Sequence, residues 1–172
     1  MCYFCKLKIV YTIAMDQIMF HTQENRGNVL KQPMLCTRKD AWFGTGYYFW
    51  ADEIDAIRWG ETAKHGNYQV YSARIVSDKV LDTVFNAEHY QLFVSALERT
   101  ARTIFKLTGK KPTQTDLCEY LNKRAKWKKE IDVLIACDIP TSSLEILPIP
   151  VRKRIQAAVY NASCIHEFQL QD

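Results

Sequence analysis

The chain reads as an α+β protein built on a mostly antiparallel sheet, and three observations predict this. Short runs rich in β-branched and aromatic residues stand toward both ends of the sequence. Two segments with helical spacing lie between them, over 86–130. Strands and helices do not alternate regularly, as a parallel βαβ fold would require. With 172 residues, 48% hydrophobic and 24% charged, the composition suits one globular domain over 1–172 and excludes a disordered chain. No apolar run approaches the ~20 residues of a membrane helix, so no membrane partner is expected.

Residues 6–12 and 16–21 have strand composition, the second run ending in His21. Residues 23–32 are polar around Val29-Leu30 and are expected to hold a short helix before Pro33; 34–40 then leads on as a loop. Next comes Phe43-Gly44-Thr45-Gly46-Tyr47-Tyr48-Phe49-Trp50. Its two glycines allow close backbone approach or positive φ, and the aromatics behind them offer flat faces. This reads as a tight turn entering a strand that lines a ligand pocket. A Gly-x-Gly pair that enters a strand instead of opening a helix is not a Rossmann fingerprint.

Asp52 and Asp55 mark a helix start, with Lys64 near its end and Gly66 beyond. Residues 68–76 alternate as a strand, with Tyr71, Ala73 and Ile75 on one face and Val70, Ser72 and Arg74 on the other. Asn86 caps a long helix reaching Leu107, with Gly109 after it, and Phe93, Val94, Leu97, Ala101, Ile104 and Phe105 form its core-facing stripe. Thr115 is expected to cap a further helix carrying Leu117, Tyr120 and Leu121. Strands follow over 131–137, 155–160 and 164–170, with a proline-punctuated extended piece at 143–150.

Of the six cysteines, only Cys2 and Cys5 have C-x-x-C spacing, and no second pair completes a tetrahedral set. No metal is expected. Residues 1–15 lack the charged start, apolar middle and small-residue cleavage site of a signal peptide. The expectation is reduced thiols in a cytoplasmic protein. Net charge is only +4, so its distribution matters more than its size. Lys123, Arg124, Lys126 and Trp127 belong to one basic run with Lys128 and Lys129; Arg152, Lys153 and Arg154 form another. Such runs serve as a solvated face, or as a phosphate-contacting surface with an aromatic for base stacking.

Three separated pieces together resemble the ADP-ribosyltransferases of the diphtheria-toxin and poly(ADP-ribose) polymerase branch, whose His-Tyr-Glu triad lies on three strands. Phe20-His21-Thr22 is similar to the family's apolar residue, His, Gly and Ser or Thr. Phe43 through Phe49 is similar to Phe-Gly-x-Gly-x-Tyr-Phe, and Trp59, eleven residues after Tyr48, falls where a second stacking tyrosine stands. Gln156-Ala157-Ala158-Val159-Tyr160-Asn161 is similar to Glu-Tyr-Ile-Val-Tyr-Asp, with Gln replacing Glu. The resemblance covers about half the chain, and 85–130 has no counterpart in it.

The resemblance implies an ADP-ribosyltransferase fold of two packed, mostly antiparallel sheets with flanking helices and a helical insertion around 86–130. It implies cleavage of NAD at the nicotinamide–ribose bond and mono-ADP-ribosylation, with His21, Tyr48 and Gln156 in the catalytic positions. Tyr48 and Trp59 would sandwich the cationic nicotinamide. His21 would bond the adenosine ribose, backbone near Thr22 would meet the carboxamide, and Phe43, Gly44 and Gly46 would complete the NAD wall. Thr22 replaces the family glycine, and Ala56 stands near the place of a carboxamide-binding serine. Gln156 can orient a ribose hydroxyl but cannot act as a carboxylate base. Lys123, Arg124, Lys126, Trp127, Arg152 and Arg154 would face the acceptor, favouring RNA or DNA over protein. Small chains of this branch suggest a toxin held by an antitoxin or used in phage defence. A catalytically inactive NAD- or ADP-ribose-binding module, and a nucleic-acid adaptor, stay open as alternatives.

Overall fold

A computed structural model describes residues 13–123, 127–138 and 153–171. The expected strand at 6–12, the extended piece at 143–150, and Arg124, Lys126 and Arg152 lie outside the described residues. The elements are β1 (Ile13–Glu24), β2 (Tyr47–Trp50), α1 (Glu53–Ala63), β3 (Tyr68–Asp82), α2 (Ala87–Thr108), α3 (Gln114–Lys123), β4 (Val133–Asp138), β5 (Arg154–Val159) and β6 (Ile165–Leu170). Two 3-10 turns, Trp127–Lys129 and Ala162–Cys164, complete the list.

The α+β class and the mostly antiparallel pairing hold. The arrangement is one sheet that closes on itself, where two packed sheets were expected. β1 runs antiparallel to β3 from Ile13↔Val80 to Glu24↔Tyr68. β2 pairs with β5, and β5 with β4, both antiparallel. β4 lies parallel to the end of β3, from Val80↔Val133 to Asp82↔Ile135. The ring closes where β1 meets β2 at Phe20↔Trp50, and β6 adds to β3 beside β4. The result is a small barrel. β3 makes it possible: its length lets one edge carry β1 while the other carries β6 and then β4.

Strand alternation divides the side chains between two cores. Inside the ring lie Met15, Met19, Phe49, Ile75, Val133 and Val159. On the outer face Leu81 and Leu134 join Leu121, Trp127 and Ile131 in a second core, roofed by Phe93 and Leu97 of α2. The stripe on α2 is half-buried from Phe93 to Ile104 and then runs out into solvent. Phe105 is 51% exposed and Leu107 76%, because the helix extends beyond the sheet surface it covers.

Local signals explain most boundaries. Asp52 caps α1 by accepting from the Ile54 amide at 3.0 Å. Asn86 caps α2 by accepting from the Glu88 and His89 amides, and Gly109 ends it. Thr113, not Thr115, caps α3: its hydroxyl accepts from the Asp116 amide while the Asp116 carboxylate accepts from the Thr113 amide. Residues 25–35 form no helix, because their hydrogen bonds go to β3 and its flanks, as when the Leu30 amide donates to the Tyr71 hydroxyl at 3.0 Å.

α1 packs over β1 and β3 through Gly60. A Cβ there would lie 2.3 Å from the Tyr68 ring. Gly60→Ala is therefore expected to destabilise the protein by about 2 kcal/mol or more, well beyond a glycine-to-alanine change on an open helix. Urea unfolding measures it, and an unchanged midpoint would show that α1 stands off the sheet.

Candidate functional site

β1, β2 and β5, which carry His21, Tyr48 and Gln156, are consecutive neighbours in the sheet. Residues directly opposite in an antiparallel ladder share a face, and so do residues two apart on a strand. Phe20, Trp50 and Gln156 therefore form one row, through Phe20↔Trp50 and Trp50↔Gln156. Thr22, Tyr48, Ala158 and Arg154 share its face, outside the barrel. His21 projects to the opposite, inner face beside Phe49, their rings 5.4 Å apart. The structure thus brings Tyr48 and Gln156 to one surface and separates the His21 side chain from them.

His21 is 5% exposed. Its Nδ1 lies 2.8 Å from the Tyr48 carbonyl, which can only accept, so the proton sits on Nδ1. Nε2 is buried with no hydrogen-bond partner among the described residues. An imidazole so placed does not reach a ribose on the Tyr48 face. It supports Tyr48 by bonding the carbonyl of that residue, beside the point where the short β1–β2 ladder ends. Burial holds its pKa below the usual value, opposed by the Tyr48 carbonyl and the nearby Gln23.

Tyr48 is half-buried. Its hydroxyl accepts from the Phe43 amide at 3.1 Å and donates to the Gly44 carbonyl at 2.6 Å, fastening the ring to the preceding turn. Burial raises its pKa far above the ordinary phenol value, so this hydroxyl stays protonated and is no base at neutral pH. Gly44 has φ +74°, and a Cβ on it would stand 2.6 Å from the Asn122 amide nitrogen. Gly46 lies under β5, its missing Cβ 3.2 Å from the Val159 carbonyl. The close approach that this glycine pair permits is thus to the protein's own α3 and β5. Phe43 likewise packs into the second core, its ring 6.5 Å from Phe93.

Trp59 meets Trp50, not Tyr48, with ring centroids 5.9 Å apart. Sequence reasoning misses Trp50 as a site residue, although its position two after Tyr48 puts it on the same face. The Arg154 guanidinium lies 5.4 Å from the Trp50 ring. Thr22 is buried and its hydroxyl donates to the Ala56 carbonyl at 2.6 Å. This side chain ties β1 to α1, filling the place where the resemblance puts the carboxamide contact.

The acceptor-facing set is largely reassigned. Trp127 is 1% exposed, stacked on Phe93 at 6.2 Å and bonded through Nε1 to Asn122. It is a core residue and cannot stack on a base. Arg154 is ion-paired with the buried Asp138, and its Nε has no partner among the described residues. Lys123 is exposed but paired with Glu119 at 2.7 Å. A cavity of about 790 Å³ opens beside Phe20 at the β2–α1 connection, with Asp52, Glu53 and Lys153 among its lining. Its charge is mixed rather than basic. Among the described residues no cluster of His, Cys, Asp or Glu has the makings of a metal site, and no helix is long and apolar enough to cross a membrane.

Two measurements test these placements. The folded pKa of His21 is depressed, so the unfolded chain takes up its proton more readily. Its contribution to stability is full above about pH 6.5 and is lost as pH falls from there through the lower folded value. Between pH 7 and pH 5 the urea midpoint should drop more steeply for the native chain than for His21→Gln; equal slopes would rule out a buried neutral imidazole. Arg154→Ala, which strands Asp138, should cost about 3–5 kcal/mol, whereas a surface acceptor contact would leave stability within about 0.5 kcal/mol.

Comparison of the chain with protein-family models, with curated proteins and with solved structures finds no match.

Proposed function

We propose that this chain is a cytoplasmic NAD-dependent mono-ADP-ribosyltransferase that releases nicotinamide and passes ADP-ribose to a macromolecule, with RNA or DNA favoured as acceptor. The observation that carries this reading is the convergence of Tyr48 and Gln156. They lie on adjacent strands and one outer face, two residues out of direct register, with Trp50 and Trp59 beside them. Aromatic faces suit the flat cationic nicotinamide. An amide oxygen near the ribose suits the oxocarbenium character that develops as the nicotinamide–ribose bond breaks. The bond pair leaves with nicotinamide, and a nitrogen on the acceptor forms the new bond to the same carbon and then loses its proton to solvent.

Gln156 limits the chemistry. A neutral amide does not deprotonate the acceptor, so the acceptor is one that needs no strong base, such as a nucleobase amine. This also disfavours chain extension. Lys129 and Lys153, exposed cations of the two basic runs, favour a nucleic acid, and a toxin held by an antitoxin is the context proposed for it. One observation favours a second reading, NAD or ADP-ribose binding without transfer: the Thr22 hydroxyl closes on the Ala56 carbonyl, which narrows the space beside Tyr48.

Incubation with labelled NAD and total cellular RNA, DNA and protein separates these readings. The expected result is label on nucleic acid, reduced roughly 100-fold in Tyr48→Ala, with nicotinamide release raised about tenfold or more in Gln156→Glu as a carboxylate replaces the amide. Label on protein alone moves the acceptor class. Tight NAD binding without nicotinamide release supports the binding module, and no NAD binding at all removes both.

A further inference from the structure

The turn before β2 is held from outside by a set of side chains drawn almost entirely from one region. The Lys39 carbonyl accepts from Thr115 at 3.0 Å. The Trp42 carbonyl accepts from Gln114 at 3.1 Å and from the Cys118 thiol at 2.9 Å. The Phe43 carbonyl accepts from the Tyr160 hydroxyl at 3.2 Å, and the Thr45 carbonyl from the Lys128 ammonium. Asn122, oriented by the Trp127 indole, occupies the space that a side chain on Gly44 would need. All but Tyr160 belong to α3 or the 3-10 turn Trp127–Lys129.

Lys128 is central to this set. It is only partly exposed, and its ammonium lies 4.6 Å from the Tyr160 ring centroid. One side chain therefore joins the ring that holds the Phe43 carbonyl to the Thr45 carbonyl. A lysine on a solvated face gains nothing by giving up water in this way. A desolvated lysine with a carbonyl and an aromatic face as partners is placed there by the structure. The turn in turn holds the Tyr48 hydroxyl at both the Phe43 amide and the Gly44 carbonyl. Any shift of the turn moves that ring.

We infer that α3 and the adjoining 3-10 turn form a clamp that sets the position of the Tyr48 ring, with Lys128 as its positioning residue. The catalytic consequence rests on the transferase reading; the mechanical one does not. The clamp gives the helical segment of 86–130 a task at the site although none of its described side chains shares the Tyr48–Gln156 surface.

The test compares the full native chain with Lys128→Met, which keeps the stem and removes the donor, and with Lys128→Arg, which restores a cationic donor. Hydrogen exchange is followed at the turn amides, where Gly44 donates to Ala41 and Gly46 to Cys36, and at β3 and β4. Lys128→Met should lose about tenfold or more of its protection in the turn with β3 and β4 unchanged, as loss of one charged hydrogen bond at a locally opening segment implies. Lys128→Arg should recover most of it. For nicotinamide release, KM for NAD should rise several-fold in Lys128→Met with kcat within about twofold, because the binding wall shifts while Gln156 does not. Unchanged exchange in the turn overturns the clamp, and so does a uniform loss of protection across the fold, which marks Lys128 as merely structural. Loosened turn amides with unchanged KM overturn the link to Tyr48. If the native chain releases no nicotinamide, the transferase reading fails and the exchange data alone decide the clamp.

Discussion

Fifteen residues of continuous extended backbone, from Tyr68 to Asp82, are the constraint on which the rest of this fold depends. A sheet closes into a ring only if some strand is long enough to hold partners on both edges while the others curve around it. Val80 holds a partner on each edge, Ile13 on one side and Val133 on the other, so that the ring can close at Phe20↔Trp50. That closure seals Met15, Met19, Phe49 and Ile75 from water, and burial of such side chains is the main favourable term in folding. It also turns the outer faces of β2 and β5 outward, where Tyr48, Trp50 and Gln156 stand.

The period-2 geometry of strands then decides what can share a surface. Tyr48 and Gln156 share a face, and His21 does not join them, because it pairs with Tyr71 and turns inward against the Phe49 ring. A buried imidazole acting on the backbone of Tyr48 is a supporting group. The same alternation brings Arg154, Asp138 and Trp50 together at the lower end of the site, where the ion pair is shielded from water and so interacts far more strongly than a surface pair. The aromatic surface and its polar neighbour are therefore fixed by ladder register, and the turn above them by α3.

Much of the fold was legible because local signals carried it. Asp52, Asn86 and Gly109 gave helix ends within a residue or two, and alternation around Tyr71, Ala73 and Ile75 gave the inner face of β3. Long-range facts left no local mark. Nothing in the sequence of β3 announces that its far end pairs parallel to β4. The helical stripe on α2 reads equally well along its length, yet from Phe105 it stands in solvent. Trp127 sits among lysines and so looks like a surface aromatic, but the 3-10 turn rotates it into the core against Phe93 and Tyr160. The glycine-aromatic turn was recognised from its composition; that its glycines make room for Asn122 and Val159, and not for a ligand, depends on contacts across more than seventy residues of sequence.

The pairing of β1 with β2 at the single point Phe20↔Trp50 has a consequence for motion. Every other junction in the ring is secured by a run of ladder pairs, so the two strands that flank Tyr48 and Thr22 form the line of least resistance in the barrel. Thermal opening starts where the fewest hydrogen bonds must break together, and here that is alongside the candidate site. Parting along this line lengthens the gap between α1 and the Tyr48 turn without unthreading the sheet. The barrel thus behaves less like a rigid cylinder than like a clasp, with β3 as its spring and the Phe20–Trp50 junction as its catch.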